Sequence, residues 1–275
     1  MNIMALPTDA AIAALVNALY AYSGYAAVTW DHLEQPTTDD GICWALKRVP
    51  GLDSGIDVIV LRGSTTPQDW FRDFDAFADP FTTNAERLDI FLHHLGFAID
   101  ADAVDHAFLG PVHPGFLAGM EDAWAAMRPL LGKNVVVAGH SLGAGRAAIL
   151  TGLMLHGGVP PLACVTFGQP RPGFPPLAKL IENVPQRSYR NGDGVLVDMV
   201  TEVPLAIGPE DYVHPHVLTD VCEEPGPSWQ QQWGIFAWHA MPLYLRALER
   251  RDGLALSGPD DVALTPGGAP RLEIH

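Results

Sequence analysis

The run Asn134-Val135-Val136-Val137-Ala138, followed at once by Gly139-His140-Ser141-Leu142-Gly143, constrains this chain more than any other segment. A short β-branched run with no helical period reads as a buried strand. Ala144 to Leu155, rich in Ala, Leu and Ile, reads as a helix. The G-x-S-x-G pentapeptide between them must make a sharp strand-to-helix turn, with glycines where the two backbones pass closely. Such a turn pushes the Ser141 hydroxyl out at the C-terminal edge of a sheet. The unpaired amides that open the helix favour negative charge nearby. A bare G-x-S-x-G also occurs in turns without chemistry; the flanking strand and helix are what favour a nucleophile aimed at an acyl carbon.

The rest of the chain fits an α/β domain with a mostly parallel sheet. Residues 41–49 and 56–61 read as strands joined by a turn over 50–55. Residues 116–131 read as a helix, 162–167 and 187–190 as strands, 213–219 as an edge strand, and 238–250 as a closing helix distorted at its start by Pro242. Residues 1–250 are expected to form one domain, and the Gly-, Pro- and Asp-rich residues 251–275 a loosely packed tail.

Composition bounds the function. The 275 residues, 48% of them hydrophobic, suffice for one large domain with a buried core. No apolar run approaches the roughly 20 residues of a membrane span. Residues 8–22 read as an amphipathic helix capped by Thr8 rather than a signal peptide, which predicts a cytoplasmic location or export by a leaderless route. The formal net charge of −16 leaves no basic stripe for nucleic acid and disfavours anionic membranes. Three separated cysteines, Cys43, Cys164 and Cys222, form neither a disulfide framework nor a zinc pattern. No metal and no cofactor are expected.

A serine hydroxyl needs an imidazole to take its proton and a carboxylate to hold that imidazole. In this kind of fold both follow the serine, the acid first. Asp193, in the strand-end loop Asn191-Gly192-Asp193-Gly194, stands out as the acid, although Asn, Gly and Asp also make turns for their own reasons. Asp198 is the nearest rival; Asp211 and Asp220 are weaker. Of the later histidines, His156 lies at the far end of the nucleophile helix and His275 is terminal. His239, late and among apolar residues, is favoured over His214 and His216. The amide of Leu142 is one oxyanion donor, and Ser64, at the end of strand 56–61, is the second candidate. Ser64 also suits a helix cap.

Several ordered segments together resemble the class 3 (fungal-type) lipases of the α/β-hydrolases: Val60-Leu61-Arg62-Gly63-Ser64, Asp69-Trp70, His113-Pro114-Gly115-Phe116, the 139–144 elbow, Thr166-Phe167-Gly168-Gln169-Pro170-Arg171-Pro172-Gly173, Asn191 with Asp193 and Val195, and His239 with Tyr244. The resemblance implies an α/β-hydrolase fold with a helical lid, Ser141 as nucleophile, Asp193 as acid, His239 as base, and Ser64 with Leu142 as the oxyanion hole. It departs from the family where Gly194-Val195-Leu196-Val197-Asp198 replaces a proline-bearing stretch, which keeps Asp198 in play, and where the segment between Trp70 and His113 runs long.

Residues 67–78 form an amphipathic pattern with Trp70, Phe71, Phe74 and Phe77 on one side. A helix packed permanently on the core would look the same. Its place after the oxyanion strand favours a lid that turns its aromatic side to lipid. A second stripe, Leu88, Phe91, Leu92 and Leu95, is expected to join Phe97 and Phe108 in a cap spanning about 65–112. The chain therefore reads as a serine hydrolase of lipid esters, with transient lipid contact through the lid. A silent binding protein and an acyltransferase remain as alternatives.

Overall fold

The computed structural model describes residues 6–22, 24–35, 42–52, 54–63, 103–204, 211–227, 230 and 234–258. Ser64, Trp70, Phe71, Phe74 and Phe77, the 88–97 stripe and most of the expected tail lie outside these residues.

Among the described residues, seven strands form one sheet: β1 (His32–Glu34), β2 (Trp44–Val49), β3 (Ile56–Leu61), β6 (Val135–His140), β7 (Ala163–Phe167), β8 (Gln186–Asn191) and β9 (Leu218–Val221), in that order across the sheet. β4 (Val104–His106) and β5 (Gly110–Val112) make a separate antiparallel hairpin. β1, β2 and β3 pair antiparallel, and from β3 to β9 every pairing is parallel. Five strands therefore end at one edge, where Gly63, Ser141, Gly168, the loop after Asn191 and the loop after Val221 meet.

Both faces of the sheet are covered, so its central strands carry no polar face. Ile59, Leu61, Val135 and Val137 pack into one apolar cluster with helix α4 (Leu142–His156). Their neighbours Val58, Val60, Val136 and Ala138 pack into another with α1 (Asp9–Ala18) and α6 (Met241–Arg251). This alternation is the period-2 consequence of strand geometry. The one buried charge in β3, Asp57, receives the Arg48 Nε–H at 3.1 Å and the Gly132 amide at 2.6 Å. Thr8 caps α1 through its hydroxyl, which accepts the Ala11 amide.

Some boundaries differ from the sequence reading. The expected 116–131 helix is two, α2 (Pro114–Leu117) and α3 (Met120–Met127), because Gly119 between them is left-handed at φ 73°. α5 (Pro175–Ile181) precedes β8. The edge strand begins at Leu218; Val213 makes only an isolated bridge to Gly173. Pro242 does not distort α6 but sits in its first turn, where no amide donor is missed. Phe108, expected in the cap, stacks on His156 with ring centroids 3.8 Å apart. That contact is at the far end of a 15-residue helix, about 20 Å from the elbow by helix rise. Beyond α6, residues 252–255 are exposed, while Ser257 is tied to Glu249 by its amide and hydroxyl.

Candidate active site

β6 runs straight into Ser141, which has φ 62° and ψ −131° and heads α4. That backbone is strained for a residue with a Cβ, at about 1–3 kcal/mol. It is held by the Ser141 amide donating to the Phe167 carbonyl at 3.1 Å and by the Ser141 carbonyl accepting from Ala144 at 2.8 Å. A Cβ on Gly139 would lie 2.2 Å from the Gly143 carbonyl oxygen, and one on Gly143 would lie 2.2 Å from that of Leu61. The motif's glycines are required by backbone passing backbone. Leu142 is the first residue of α4, so its amide has no acceptor within the helix.

His239 closes the 3-10 turn Gly234–His239 before α6. Its Nδ1 lies 2.6 Å from Asp198 Oδ2, and the Asp198 carboxylate is wholly buried. Asp198 Oδ2 also accepts the Tyr244 hydroxyl at 2.5 Å, and Oδ1 accepts the Val200 amide at 2.9 Å. Burial pushes the Asp198 carboxyl up, but the electrostatic attraction of the neighbouring His239 ring and the three hydrogen bonds outweigh it, and the carboxyl is held below its usual range. The carboxylate orients the His239 ring through Nδ1 and leaves Nε2 on the side away from Asp198.

Asp193 does not take this place. It is fully exposed, and its Oδ1 accepts the amides of Val195 and Leu196 at 2.7 and 2.6 Å. The Leu196 and Val195 amides hold its carboxyl below the usual range. The aspartate expected to orient His239 instead makes an Asx turn at the tip of a small hairpin closed by Gly192 and Val197. That hairpin returns the chain to Asp198, whose amide donates to the Asn191 carbonyl at 2.8 Å. The rival carboxylate is the one that meets the histidine.

Asn191 and Gly168 fix this arrangement. Asn191 Nδ2 donates to the carbonyls of Glu223 and Trp238, both at 3.1 Å, and its Oδ1 accepts the Glu223 amide. It thereby ties β8 to the segment bearing His239. Gly168, left-handed at φ 56°, sits where a Cβ would lie 2.6 Å from Asp198 Oδ2 and 2.8 Å from the His239 ring. Ser141 Oγ and His239 Nε2 are both buried, and neither makes a hydrogen bond among the described residues. His214 is not part of this group; its Nε2 lies 2.8 Å from the Thr201 carbonyl. Sequence reasoning passed over Tyr20 and gave His140 no role, yet Tyr20 reaches the elbow: its hydroxyl is 2.8 Å from His140 Nδ1. A tyrosine in the turn after a helix, 120 residues earlier, carries no sequence signal for that contact.

The elbow and Asp198 lie within residues 58–207, which match a family model, class 3 lipase, and His239 lies beyond that match. The chain belongs to the class 3 lipase family. It has the α/β-hydrolase fold, and its family is one of carboxylic ester hydrolases. Among solved structures, a Rhizomucor miehei lipase–propeptide complex aligns with a TM-score of 0.51 at 19% identity, over 76% of this chain and 66% of that one. The class 3 lipase thus spans just under two thirds of that chain. A triacylglycerol lipase from Penicillium expansum aligns at 14% identity with a TM-score of 0.49, over 98% of this chain and 100% of that one. No curated protein matches the sequence. Among the described residues there is no His, Cys, Asp or Glu cluster able to hold a metal, and no helix long and apolar enough to cross a membrane.

Proposed function

We propose that this class 3 lipase hydrolyses lipid esters through an acyl-enzyme on Ser141, with His239 as base, Asp198 as the orienting acid, and the Leu142 amide with a donor at Ser64 as the oxyanion hole. The observation that carries this reading is the His239 ring. One nitrogen is fixed on a buried carboxylate, and the other is buried and unpartnered at the sheet edge that bears an unpartnered, strained serine. In the first half-reaction Ser141 Oγ attacks the ester carbonyl carbon as its proton passes to His239 Nε2. The tetrahedral oxyanion collapses, the C–O bond to the alcohol breaks, and His239 returns the proton to the leaving oxygen. Water then attacks the acyl-enzyme by the same proton path and releases the acid.

The test is Ser141→Ala. Turnover of p-nitrophenyl esters and labelling by a fluorophosphonate probe should both disappear while the fold, read by circular dichroism, is retained. Esterase activity surviving the substitution would remove Ser141 from the reaction. Failure of the native protein to label would favour a silent binding protein, and ester products appearing with added alcohols would favour an acyltransferase.

The aromatic stripe Trp70, Phe71, Phe74 and Phe77 supports a lipid rather than a small soluble ester, with the stripe as a lid that meets the lipid surface. Trp70→Ala should lower turnover of emulsified esters more than that of soluble short-chain ones. Equal losses on the two substrates would remove the lid.

A further inference from the structure

His140, the residue before Ser141 in the elbow, is 4% exposed and makes two hydrogen bonds through its ring. Nε2 lies 2.8 Å from the main-chain carbonyl of His239, and Nδ1 lies 2.8 Å from the Tyr20 hydroxyl. A carbonyl can only accept, so Nε2 carries the proton. Burial lowers the His140 pKa to about 3, with the neighbouring His239 acting in the same direction, so the ring is neutral and Nδ1 is an acceptor. The Tyr20 hydroxyl must therefore donate to Nδ1. Its oxygen then accepts the Gly63 amide at 3.1 Å. Every proton in the chain has one consistent place: Gly63 N–H to Tyr20 oxygen, Tyr20 O–H to His140 Nδ1, His140 Nε2–H to His239 oxygen.

The chain joins three separate parts of the site. Gly63 ends the β3 segment and immediately precedes Ser64. A Cβ at Gly63 would lie 3.3 Å from Ser141 Cβ and 3.0 Å from the Tyr20 hydroxyl, so the strand end runs closely past the elbow. His140 is bonded covalently to Ser141. His239 is both hydrogen-bonded to His140 through its carbonyl and stacked on it, with ring centroids 4.5 Å apart and planes 27° apart. Tyr20 is held in turn by stacking on Tyr22 at 5.4 Å and by an edge contact with His140.

We propose that Tyr20 and His140 are positioning residues of the hydrolytic site, a relay that holds the end of β3 and the main chain of His239 in register with the nucleophile. The inference rests on the reading of Ser141 and His239 as nucleophile and base. Tyr20 touches neither the ester nor the reacting atoms; it acts through the Gly63 amide and through the tautomer it selects at His140. A fixed neutral ring also lets His239 take a proton without facing a second cation in the stack. Phenylalanine at position 20 would keep the ring and lose both hydrogen bonds. His140 would then be free to change tautomer and to release the His239 carbonyl.

The experiment is Tyr20→Phe on a soluble p-nitrophenyl ester. We expect kcat to fall about tenfold with KM within about twofold, as geometry rather than binding is lost. The rate of fluorophosphonate labelling at Ser141 should fall in parallel, while the thermal midpoint, measured alongside, leaves the protein folded at the assay temperature. In a His140→Gln background the tyrosine change should cost little more, because the relay is already broken. Nitrogen-15 NMR of the native His140 ring should show the Nε2–H tautomer throughout the neutral range. An unchanged kcat, multiplying losses in the double variant, or an Nδ1–H tautomer would each overturn the relay. Native protein that neither turns over esters nor labels would overturn the hydrolase reading instead, and the tautomer would still report on the hydrogen bonds by themselves.

Discussion

At the scale of single residues the informative contrast is between two aspartates five positions apart in one loop. Both follow turn-forming residues at the end of β8, and local chemistry made Asp193 the more prominent. The structure separates them by what surrounds each carboxylate. The amides of Asp193's own turn satisfy it in water, whereas Asp198 is buried and its partners come from Val200, His239 and Tyr244. An unpaired buried carboxylate would be costly, so Asp198 and His239 depend on each other for their placement. Asp198→Asn should lower kcat by about three to four orders of magnitude, since the amide that replaces the carboxylate favours the wrong tautomer of His239. Asp193→Asn should leave kcat within about twofold, because an Asn side chain makes the same turn. Steady-state kinetics of the two variants side by side decide the assignment; a large loss at 193 with little at 198 would reverse it.

The elbow is the element on which the site is built. Its two glycines are there for contact, since each hypothetical Cβ meets main-chain atoms of an adjoining segment rather than a flexible side chain. Main chain on both sides leaves no room to relax, so Gly139→Ala should destabilise the fold by about 3 kcal/mol or more. Gly158, left-handed at φ 73° but with nothing within 4 Å of a Cβ, should cost only about 1 kcal/mol as alanine. Urea unfolding of the two variants measures the difference. Equal midpoints would mean that the strand and helix do not press together at the elbow. Element existence and order were legible because apolar period and length are local properties. The break at Gly119 was not, since a lone glycine inside an apolar helical pattern is compatible with both a continuous and a divided helix.

For the whole molecule, three histidines are held neutral by burial. His113 and His214 are lowered to about 4, and His140 to about 3, from an ordinary value of 6.5. The unfolded chain takes up these protons below about pH 6.5, and the folded protein does not until pH falls through the lowered values. Their contribution is complete above the unfolded value and is lost progressively as the solution becomes more acid. The depressed carboxyl of Asp198 adds a second loss at still lower pH. The free energy of unfolding should therefore fall by at least about 1 kcal/mol between about pH 7 and about pH 5, before most carboxylates titrate. Urea midpoints at the two values check this. A midpoint that stays level or rises on acidification would mean that relief of the −16 net charge outweighs the buried rings.

The α/β layering, the elbow with its serine, the late histidine and the net acidic charge were all readable along the chain. Each depends on residues adjacent in the chain or on composition, and period, turn chemistry and charge can be read there. Three-dimensional packing was needed to show which carboxylate faces His239, which nitrogen of His140 holds the proton, and that Tyr20 reaches across to both Gly63 and the elbow. Those outcomes depend on which groups lose water together when five parallel strands end at one edge. Burial of that kind is a property of the packed molecule, and residues 20, 63, 140 and 198 carry no local mark of it.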